Sequence, residues 1–320
     1  MTEEEYSSEA EEEGLLVNLG FAEEPEHERF LRRHFFPSKI GGQPAWLDPV
    51  HLPSESRTRC ATCGGALSFL LQLYAPINGV DDAFHRTLFV FACSKEKCIR
   101  QNQGVVVLRS QLPRKNPYYG FDPCPESQEY PTLPRGVKQE PQTKFLGPWR
   151  ELELVTDAEP EEEEGEGAAG GGSGGDVREK YREMLTQKLA SSSLDGGGEG
   201  GDDEEIDLNE MDENMDDQWA QFQTRVSRAP TQCIRYCNDE GSSPLWPTLK
   251  NTPKAIPKCG LCGEERQFEF QVLPQVLYYA GVDSDVPDEL DFTSVAVYTC
   301  FCTLAEETQY AEEYAWTQCI

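Results

Sequence analysis

The sequence Cys60-Ala-Thr-Cys63-Gly64 is the first copy of a pattern that returns as Cys259-Gly-Leu-Cys262-Gly263. In both copies a phenylalanine and a glutamine follow at the same offsets, and an apolar run then ends in a third cysteine, with a fourth close behind. Similar tryptophan loops, Gly41-Gly-Gln-Pro-Ala-Trp46 and Gly241-Ser-Ser-Pro-Leu-Trp246, precede the two copies. Internal similarity of this kind indicates a duplicated unit. We therefore expect two related modules.

The repeat produces two sets of four cysteines. A Cys-x-x-Cys turn presents two thiolates, and a second pair completes the tetrahedron that Zn²⁺ prefers. Because every donor is cysteine and no position stays open, the sets predict structural zinc, two ions per chain. Simple burial as small apolar side chains, the alternative reading, does not explain pairs at matching offsets. The predicted ligands are Cys60, Cys63, Cys93 and Cys98 in one set and Cys259, Cys262, Cys300 and Cys302 in the other.

Other chemistry is disfavoured. A redox-active Cys-x-x-Cys needs a βαβ setting, whereas strands are expected after both pairs. The histidines show no spacing typical of a catalytic triad, and the glycine runs lack the Lys-Ser or Lys-Thr of a phosphate loop. We expect no catalytic residues, no cofactor besides zinc and no enzymatic activity. Cys124, Cys233, Cys237 and Cys319 remain, and we interpret them as ordinary side chains without a metal.

Several polar and aromatic residues allow two interpretations. Gln72 and Gln271 have the same position in both copies and either satisfy backbone groups or bind a peptide. The structural role is favoured because buried polar groups are usually hydrogen-bonded. His85 is interpreted in the same way, and Trp46 as an aromatic side chain that fills the edge of a core.

The charge of the chain is concentrated in two segments. The net charge is −30, and residues 1–13 together with 157–217 carry −25 of it. Such segments bury too little apolar surface to fold, so we expect them to be solvated. An acidic chain is a poor ligand for nucleic acid, which is bound through clustered Lys and Arg. It favours a basic protein partner.

The predicted fold class is mainly β (α+β), with two related zinc-knuckle β modules joined by a long acidic disordered linker. Residues 1–13 form an acidic tail, 14–155 an N-terminal zinc module with a Pro-rich extension, 156–205 the Gly-rich linker and 206–320 the C-terminal zinc module. Short β-branched or aromatic runs predict the strands, and a stripe from Met211 to Val226 predicts a helix docked on the second module. A weaker stripe lies at 177–189. The predicted strands are 15–21, 67–74, 86–92, 105–108, 149–155, 268–273, 293–298 and 314–317.

The N-terminal residues and the lengths of the apolar runs indicate where in the cell the protein is located. No run of about 18 apolar residues occurs, and the first residues are acidic where a signal peptide is basic and then apolar. We expect a monomeric cytoplasmic protein that does not bind membranes, with shuttling to the nucleus or nucleolus left open. In such a reducing compartment paired cysteines indicate metal ligands before disulfides.

Longer strings resemble the programmed cell death protein 2 family. The resemblance covers most of residues 15–125 and 215–320. It is carried by Leu19-Gly-Phe-Ala22, Phe36-Pro-Ser-Lys-Ile-Gly-Gly-Gln-Pro-Ala-Trp-Leu47, Leu67-Ser-Phe-Leu-Leu-Gln-Leu-Tyr-Ala-Pro76, Asp82-Ala-Phe-His-Arg86, Gln111-Leu-Pro-Arg-Lys-Asn116, Phe268-Glu-Phe-Gln-Val-Leu-Pro-Gln275, Val297-Tyr-Thr-Cys300 and Glu312-Glu-Tyr-Ala-Trp316.

The chain departs from that family's animal archetype in two places. The archetype carries a MYND zinc finger between the halves, but here Cys124 is the sole cysteine between Cys98 and Cys233. The chain therefore resembles the members without this finger, which include the yeast-type factor for 20S rRNA accumulation and ribosome biogenesis and the programmed cell death protein 2-like proteins. The single residue between Cys300 and Cys302 replaces the three of the family pattern.

The resemblance implies a dedicated chaperone. Its client would be a basic small-subunit ribosomal protein, the one called S two in humans, which is escorted to assembly of the 40S subunit. The alternative is a zinc-dependent scaffold in transcription or cell-death signalling. We further expect the modules to hold the client by strand addition, while the acidic segments speed its capture.

Overall fold

The computed structural model describes residues 16–125, 147–161, 217–283, 286–304 and 309–319. Ten strands, three α-helices and four short 3-10 helices lie in these ranges. The strands are β1 (Asn18–Glu23), β2 (Lys39–Ile40), β3 (Ser68–Tyr74), β4 (His85–Ala92), β5 (Val105–Leu112), β6 (Leu152–Ala158), β7 (Gln232–Tyr236), β8 (Gln267–Val272), β9 (Ser294–Thr299) and β10 (Ala311–Gln318). The α-helices are α1 (Glu96–Ile99), α2 (Asp217–Ser227) and α3 (Gln275–Ala280).

All ten strands form one closed antiparallel barrel in the order β1-β6-β2-β3-β4-β5-β10-β9-β8-β7. The first six strands come from the N-terminal half of the chain and the last four from the C-terminal half. Two seams join the halves, β1 with β7 and β5 with β10. Gly20 lies opposite Ile234 at the first seam, where an added Cβ would meet the Ile234 Cβ at 3.0 Å. Glycine there lets the two strands approach.

The fold class expected from the sequence is wrong. The halves are not separate zinc-knuckle modules joined by a linker, because their strands share one sheet. A half-barrel alone would expose two edge strands and one apolar face of the sheet. Closure instead buries one core, in which Trp46 and Phe89 of the first half belong to the same cluster as Phe270 and Val297 of the second.

Each of the predicted strands overlaps an observed one, whereas β2 and β7 were not predicted. β2 has only two residues and offers no periodicity to detect. β7, with the sequence Gln-Cys-Ile-Arg-Tyr, has its polar residues at Gln232 and Arg235, which breaks the period of two, and it follows Pro230 closely. β2 pairs with β3 and β6 of its own half, and β7 pairs with β8 and, across the seam, with β1, so partners distant in sequence stabilise both strands more than local preference does.

Several predicted segments lie outside the described residues. These are the acidic tail 1–13, the weak helical stripe at 177–189 and all of the predicted linker beyond residue 161. The described start of that linker continues β6 to Ala158. Glu159 then accepts hydrogen bonds from Arg225 at 2.7 Å and Arg235 at 2.7 Å.

The duplicated glutamines support the tryptophan loops. Gln72 Oε1 accepts a hydrogen bond from the Ala45 N–H at 2.8 Å. Gln271 Oε1 accepts one from the Leu245 N–H at 3.0 Å, and its Nε2 donates to the Leu245 carbonyl at 2.8 Å. The structural role predicted for both glutamines is confirmed. Each amide satisfies the backbone of a partly buried loop.

The neighbouring strands also repeat one irregularity. The pairing of β3 with β4 shifts between Phe69 and Leu71, and that of β8 with β9 shifts between Phe268 and Phe270. A bulge of this kind bends a strand and increases its twist, which helps a sheet to close. The sequence repeat therefore encodes two similar curved half-sheets.

Trp46 and His85 have the structural roles predicted for them. Trp46 is fully buried, with its ring centroid 4.8 Å from that of Phe89. His85 is stacked on Phe36 at 4.2 Å, and its Nδ1 lies 3.0 Å from the Tyr74 hydroxyl. Burial lowers the pKa of His85 to about 4, so this imidazole is neutral at physiological pH.

Helix α2 docks on the C-terminal half as predicted. Phe222 and Val226 lie one turn apart and pack against Leu273. Burying such side chains contributes roughly 1.5–3 kcal/mol each. Met211 and Met215, the first members of the predicted stripe, lie outside the described residues. No helix in the described ranges combines the length and the apolar character that crossing a membrane requires.

Cleavage of the chain between residues 162 and 216 tests the single barrel. With a protease site inserted there, the cut halves are expected to remain together on a native sizing column, because both seams and the shared core persist. The same sample in denaturant should separate into two fragments, and the uncut insertion variant is the matched control. Separation under native conditions would restore the two-module interpretation.

Candidate metal centres and the polar network between the halves

The first cysteine cluster lies beyond the end of β4. Cys60 and Cys63 lie in the turn before β3, Cys93 directly follows β4, and Cys98 is in α1. The four Sγ atoms lie within 4.8 Å of one another, and those of Cys63 and Cys93 are 3.8 Å apart. The structure thus brings together all four predicted ligands of the first set.

The second cluster has the same plan. Cys259 and Cys262 lie in the turn before β8, Cys300 follows β9, and Cys302 is two residues further on. All four Sγ atoms again lie within 4.8 Å of one another. The Sγ atoms of Cys259 and Cys302 are 3.8 Å apart, and those of Cys262 and Cys300 are 3.5 Å apart. The short Cys-x-Cys spacing therefore does not keep Cys302 away from the set.

A glycine closes each Cys-x-x-Cys turn. Gly64 and Gly263 have φ values of +69° and +79°, in the left-handed region that side chains disfavour. The Gly64 N–H donates to the Cys60 carbonyl at 2.9 Å, and the Gly263 N–H donates to the Cys259 carbonyl at 2.9 Å. These turns direct both thiols of a pair toward one point.

The geometry fits a tetrahedral metal ion. A Zn–S bond of about 2.3 Å places two ligand sulfurs about 3.8 Å apart, which matches the S–S separations of both clusters. Four thiolates satisfy a structural site and leave no open position for a substrate. We propose Zn²⁺ as the ion of both sites. Each ion would cross-link the Cys-x-x-Cys turn to the end of the β-hairpin that follows this turn.

The surroundings of the first cluster also suit a cation. The N–H of Gly65 lowers the pKa of Cys63 to about 7. Burial raises the pKa of Cys98 to about 12. A buried thiolate at Cys98 therefore needs a positive charge beside it, which a bound metal ion supplies.

A polar network that no sequence pattern predicted connects the two halves. Arg86 of β4 donates to Glu269 of β8 through Nη1 at 2.6 Å and Nη2 at 2.7 Å, and both side chains are fully buried. Tyr236 donates to the same carboxylate at 3.1 Å. Burial alone would raise the pKa of Glu269, but Arg86 holds it below the ordinary value. The pair is therefore ionised inside the barrel.

A second buried arginine connects the N-terminal half to the second cysteine cluster. Arg109 of β5 donates to Glu313 at 2.6 Å, and Arg266 donates to the other oxygen of that carboxylate at 2.7 Å. Arg109 also donates to the Cys302 carbonyl at 2.8 Å, and its Nη2 lies 3.4 Å from the Cys302 Sγ. One half of the chain thus supplies a cation beside the thiols of the other half.

The missed residues left one weak signal in the sequence. Arg86 and Arg109 are the single arginines of β4 and β5, strands rich in apolar residues, and Glu269 stands between Phe268 and Phe270. A charge at such a position is rarely buried unless it is paired. The sequence can identify these charged residues as unusual. It cannot show which of them pair, because Arg86 and Glu269 are 183 residues apart.

Replacing Arg109 by lysine is expected to loosen the second metal site selectively. Lysine keeps a charge for Glu313 but loses the fork that reaches Cys302, and loss of such an outer contact typically costs 10–100-fold in metal affinity. Release of metal to a colour-forming chelator should therefore become biphasic, with one equivalent released faster. Lys115→Gln, an exposed change outside both clusters, is the control. Unchanged release from Arg109→Lys would show that the contact does not support the site.

The remaining cysteines and histidines do not join these sites. Neither cluster of the described residues includes Cys124, Cys233, Cys237 or Cys319. His51 Nδ1 lies 2.9 Å from Asp48, and the His27 side chain accepts from the Arg29 N–H at 3.2 Å. Both contacts are local to their own loops.

Two family models match the chain. The N-terminal domain of programmed cell death protein 2 matches residues 16–126, and the C-terminal putative domain of the same protein matches residues 216–319. The two matches cover both cysteine clusters and nine of the ten strands, with β6 lying between the matched ranges. No solved structure matches the chain.

Whole proteins give the same result. Programmed cell death protein 2 of Rattus norvegicus is 34% identical, covering 95% of this chain and 96% of that protein. Programmed cell death protein 2-like of Gallus gallus is 25% identical over 88% of this chain and 89% of its own length. A protein named probable 20S rRNA accumulation protein 4, of Schizosaccharomyces pombe, is 22% identical over 82% of this chain and 86% of its own length. With both halves matched in order, the chain belongs to the programmed cell death protein 2 family.

Proposed function

We propose that this protein is a non-enzymatic escort for a basic small-subunit ribosomal protein and acts in assembly of the 40S subunit. The observation that carries the proposal is the charge distribution, with −25 of the net −30 in residues 1–13 and 157–217. An acidic, soluble chain can attract a basic protein and screen its charge before that protein meets RNA.

Membership of the family supports the same function. A relative that shares most of this chain's length is named for 20S rRNA accumulation. Defective supply of one ribosomal protein would alter the accumulation of ribosomal RNA, so the name is consistent with an escort. The proposed client is the basic protein called S two in humans.

The barrel changes how such a client would be held. Strand addition, which the sequence suggested, requires a free edge strand. The closed sheet pairs β5 with β10 and β1 with β7, so no strand of the described barrel is left as a whole free edge. The client must instead contact the outer surface, while the two cysteine clusters keep the supporting turns rigid.

Affinity capture of the tagged full-length chain from cytosol tests the function. One small-subunit ribosomal protein in near-stoichiometric amount is the expected result, and purified protein S two should bind directly. Recovery of transcription or cell-death signalling complexes without a ribosomal protein would contradict the proposal and favour a scaffold. Depletion of the protein should reduce 40S subunits relative to 60S subunits in the same cells.

Removing residues 1–13 and neutralising Glu161–Glu164 and Asp202–Glu205 is expected to slow association with the client and to flatten its salt dependence. Charges outside the tight contact act mainly on the association rate, so dissociation should change little. Stopped-flow binding at several salt concentrations measures both rates. A full-length variant in which the glycines of 170–175 are changed to serine, which leaves the net charge unchanged, is the control. Association as fast as wild type at low salt would limit these acids to a solvating role.

A further inference from the structure

A groove of about 480 Å³ lies on the surface where helices α1 and α3 approach the loop 286–291. Buried Leu277 and Leu290 line it together with the exposed side chains of Tyr278 and Val286. An exposed apolar groove with polar borders is a common feature of protein-binding surfaces.

Tyr278 is the most exposed aromatic residue of this region, at 80%. Its neighbours Val276 and Leu277 are buried, so the short helix cannot turn Tyr278 inward. The Tyr279 ring meets it edge-on, with centroids 5.4 Å apart. Tyrosine is enriched in interfaces and among their energetic centres.

The border of the groove is acidic. The described residues that line it include four carboxylates and no basic side chain, namely Glu96, Asp288, Glu289 and Asp291. Lys97 and Arg100 lie nearby, but each already pairs with a carboxylate, Asp288 at 3.3 Å and Glu96 at 2.5 Å. The border therefore keeps a negative excess.

Both halves of the chain build this groove. The Glu96 N–H donates to the Asp288 carbonyl at 3.3 Å, across the boundary between the N-terminal and C-terminal halves. Asp288 has a φ of +62°, which aspartate tolerates better than most residues, and this turn presents its carbonyl to α1. The groove is complete only when the barrel is closed.

We propose that this groove is the contact surface for a basic segment of the escorted ribosomal protein, with an apolar side chain inserted beside Tyr278. The inference rests on the proposed function and adds the surface on which the client would bind. Charge favours this occupant over two others, a segment of the chain itself and a second copy of the chain. The chain's own residues 1–13 and 157–217 carry −25 in total, although residues 177–189 alone carry +2, and a second copy of the chain carries −30, so the net charge of both disfavours an acidic border.

Binding of purified ribosomal protein S two to the full chain, measured by titration calorimetry, tests the surface. Tyr278→Ala is expected to raise Kd at least about tenfold, as the loss of a central interface side chain does. Glu289→Lys combined with Asp291→Lys should raise Kd by about the same factor and reduce its salt dependence.

Matched controls lie at the opposite end of β4. Phe121→Ala removes an aromatic side chain that is 64% exposed, and Asp81→Lys with Asp82→Lys reverses two exposed charges. Asp82 precedes β4 and Glu96 follows it, so the eight-residue strand separates the sites by about 26 Å. Both controls should bind within about twofold of wild type, and circular dichroism should show that every variant is folded.

The outcomes separate the inference from the function. If wild type and all folded variants bind the ribosomal protein equally, the groove is not the contact surface and the escort function stands. If the controls weaken binding as much as the groove variants, the effect is general and the inference also fails. If wild type does not bind the ribosomal protein, the proposed function and the inference fall together. Self-association that Tyr278→Ala abolishes would assign the groove to a second copy instead.

Discussion

Serine in place of Cys98 is expected to unfold the whole barrel and to lower the zinc content of the purified chain from two equivalents to one or fewer. Cys98 is fully buried in α1, and its cluster fixes the turn before β3 to the end of β4. Structural zinc contributes on the order of 10–16 kcal/mol in small sites, as much as the whole stability of a typical domain. Because the halves share one core, unfolding should not stay local.

Elemental analysis measures the zinc content, and thermal melting measures the stability of the barrel. Cys124→Ser is the matched control, since Cys124 belongs to neither cluster, and it should keep two equivalents and the wild-type melting temperature. Cys262→Ser should act like Cys98→Ser from the other half. Fewer than one equivalent of zinc in wild type would end the two-site proposal. A Cys98→Ser protein with one half folded would show that the halves are energetically independent.

Truncating Glu269 to alanine is expected to destabilise the barrel by about 3–5 kcal/mol, because Arg86 would remain as an unpaired charge in the core. Arg86→Ala should cost about the same. Replacing both partners, as Arg86→Met with Glu269→Leu, should recover most of the loss, since apolar side chains need no counter-charge. Urea unfolding measures each change.

An exposed ion pair provides the comparison. Lys258 and Glu265 are 2.8 Å apart with both side chains about two-thirds exposed, and Glu265→Ala should change stability little. A Glu269→Ala variant as stable as Glu265→Ala would contradict the importance of the buried pair. A double variant worse than either single one would instead show that the barrel requires the charges themselves.

Lowering the pH should weaken the stabilisation that the buried pair of Arg86 and Glu269 provides. The pKa of Glu269 is lowered in the folded barrel, so the folded state binds fewer protons than the unfolded one around the ordinary pKa of a glutamate. The stabilisation is therefore fully present above about pH 4.3 and is lost as the pH falls toward the folded-state pKa. The stability difference between wild type and Glu269→Ala should shrink over that interval.

The sequence by itself determined the parts of this protein that depend on near neighbours. The Cys-x-x-Cys-Gly turns, the strands that follow them and the docked helix α2 are encoded by spacing over a few residues. The duplicated glutamines could be interpreted because the same offset recurred beside the same loop. Residue type then limited the chemistry, since eight cysteines in two matching sets suit a structural metal and little else.

Only the tertiary structure decided that the two units are halves of one barrel. Periodicity shows which face of a strand is apolar, but not which distant edge that strand pairs with. The seams of β5 with β10 and β1 with β7 are such pairings, and so is the match of Arg86 with Glu269 across 183 residues. Exposed edges and an open apolar face make a half-barrel unfavourable, and closing the sheet removes both. That free energy depends on surfaces brought together by the whole chain, so no local stretch of sequence records it.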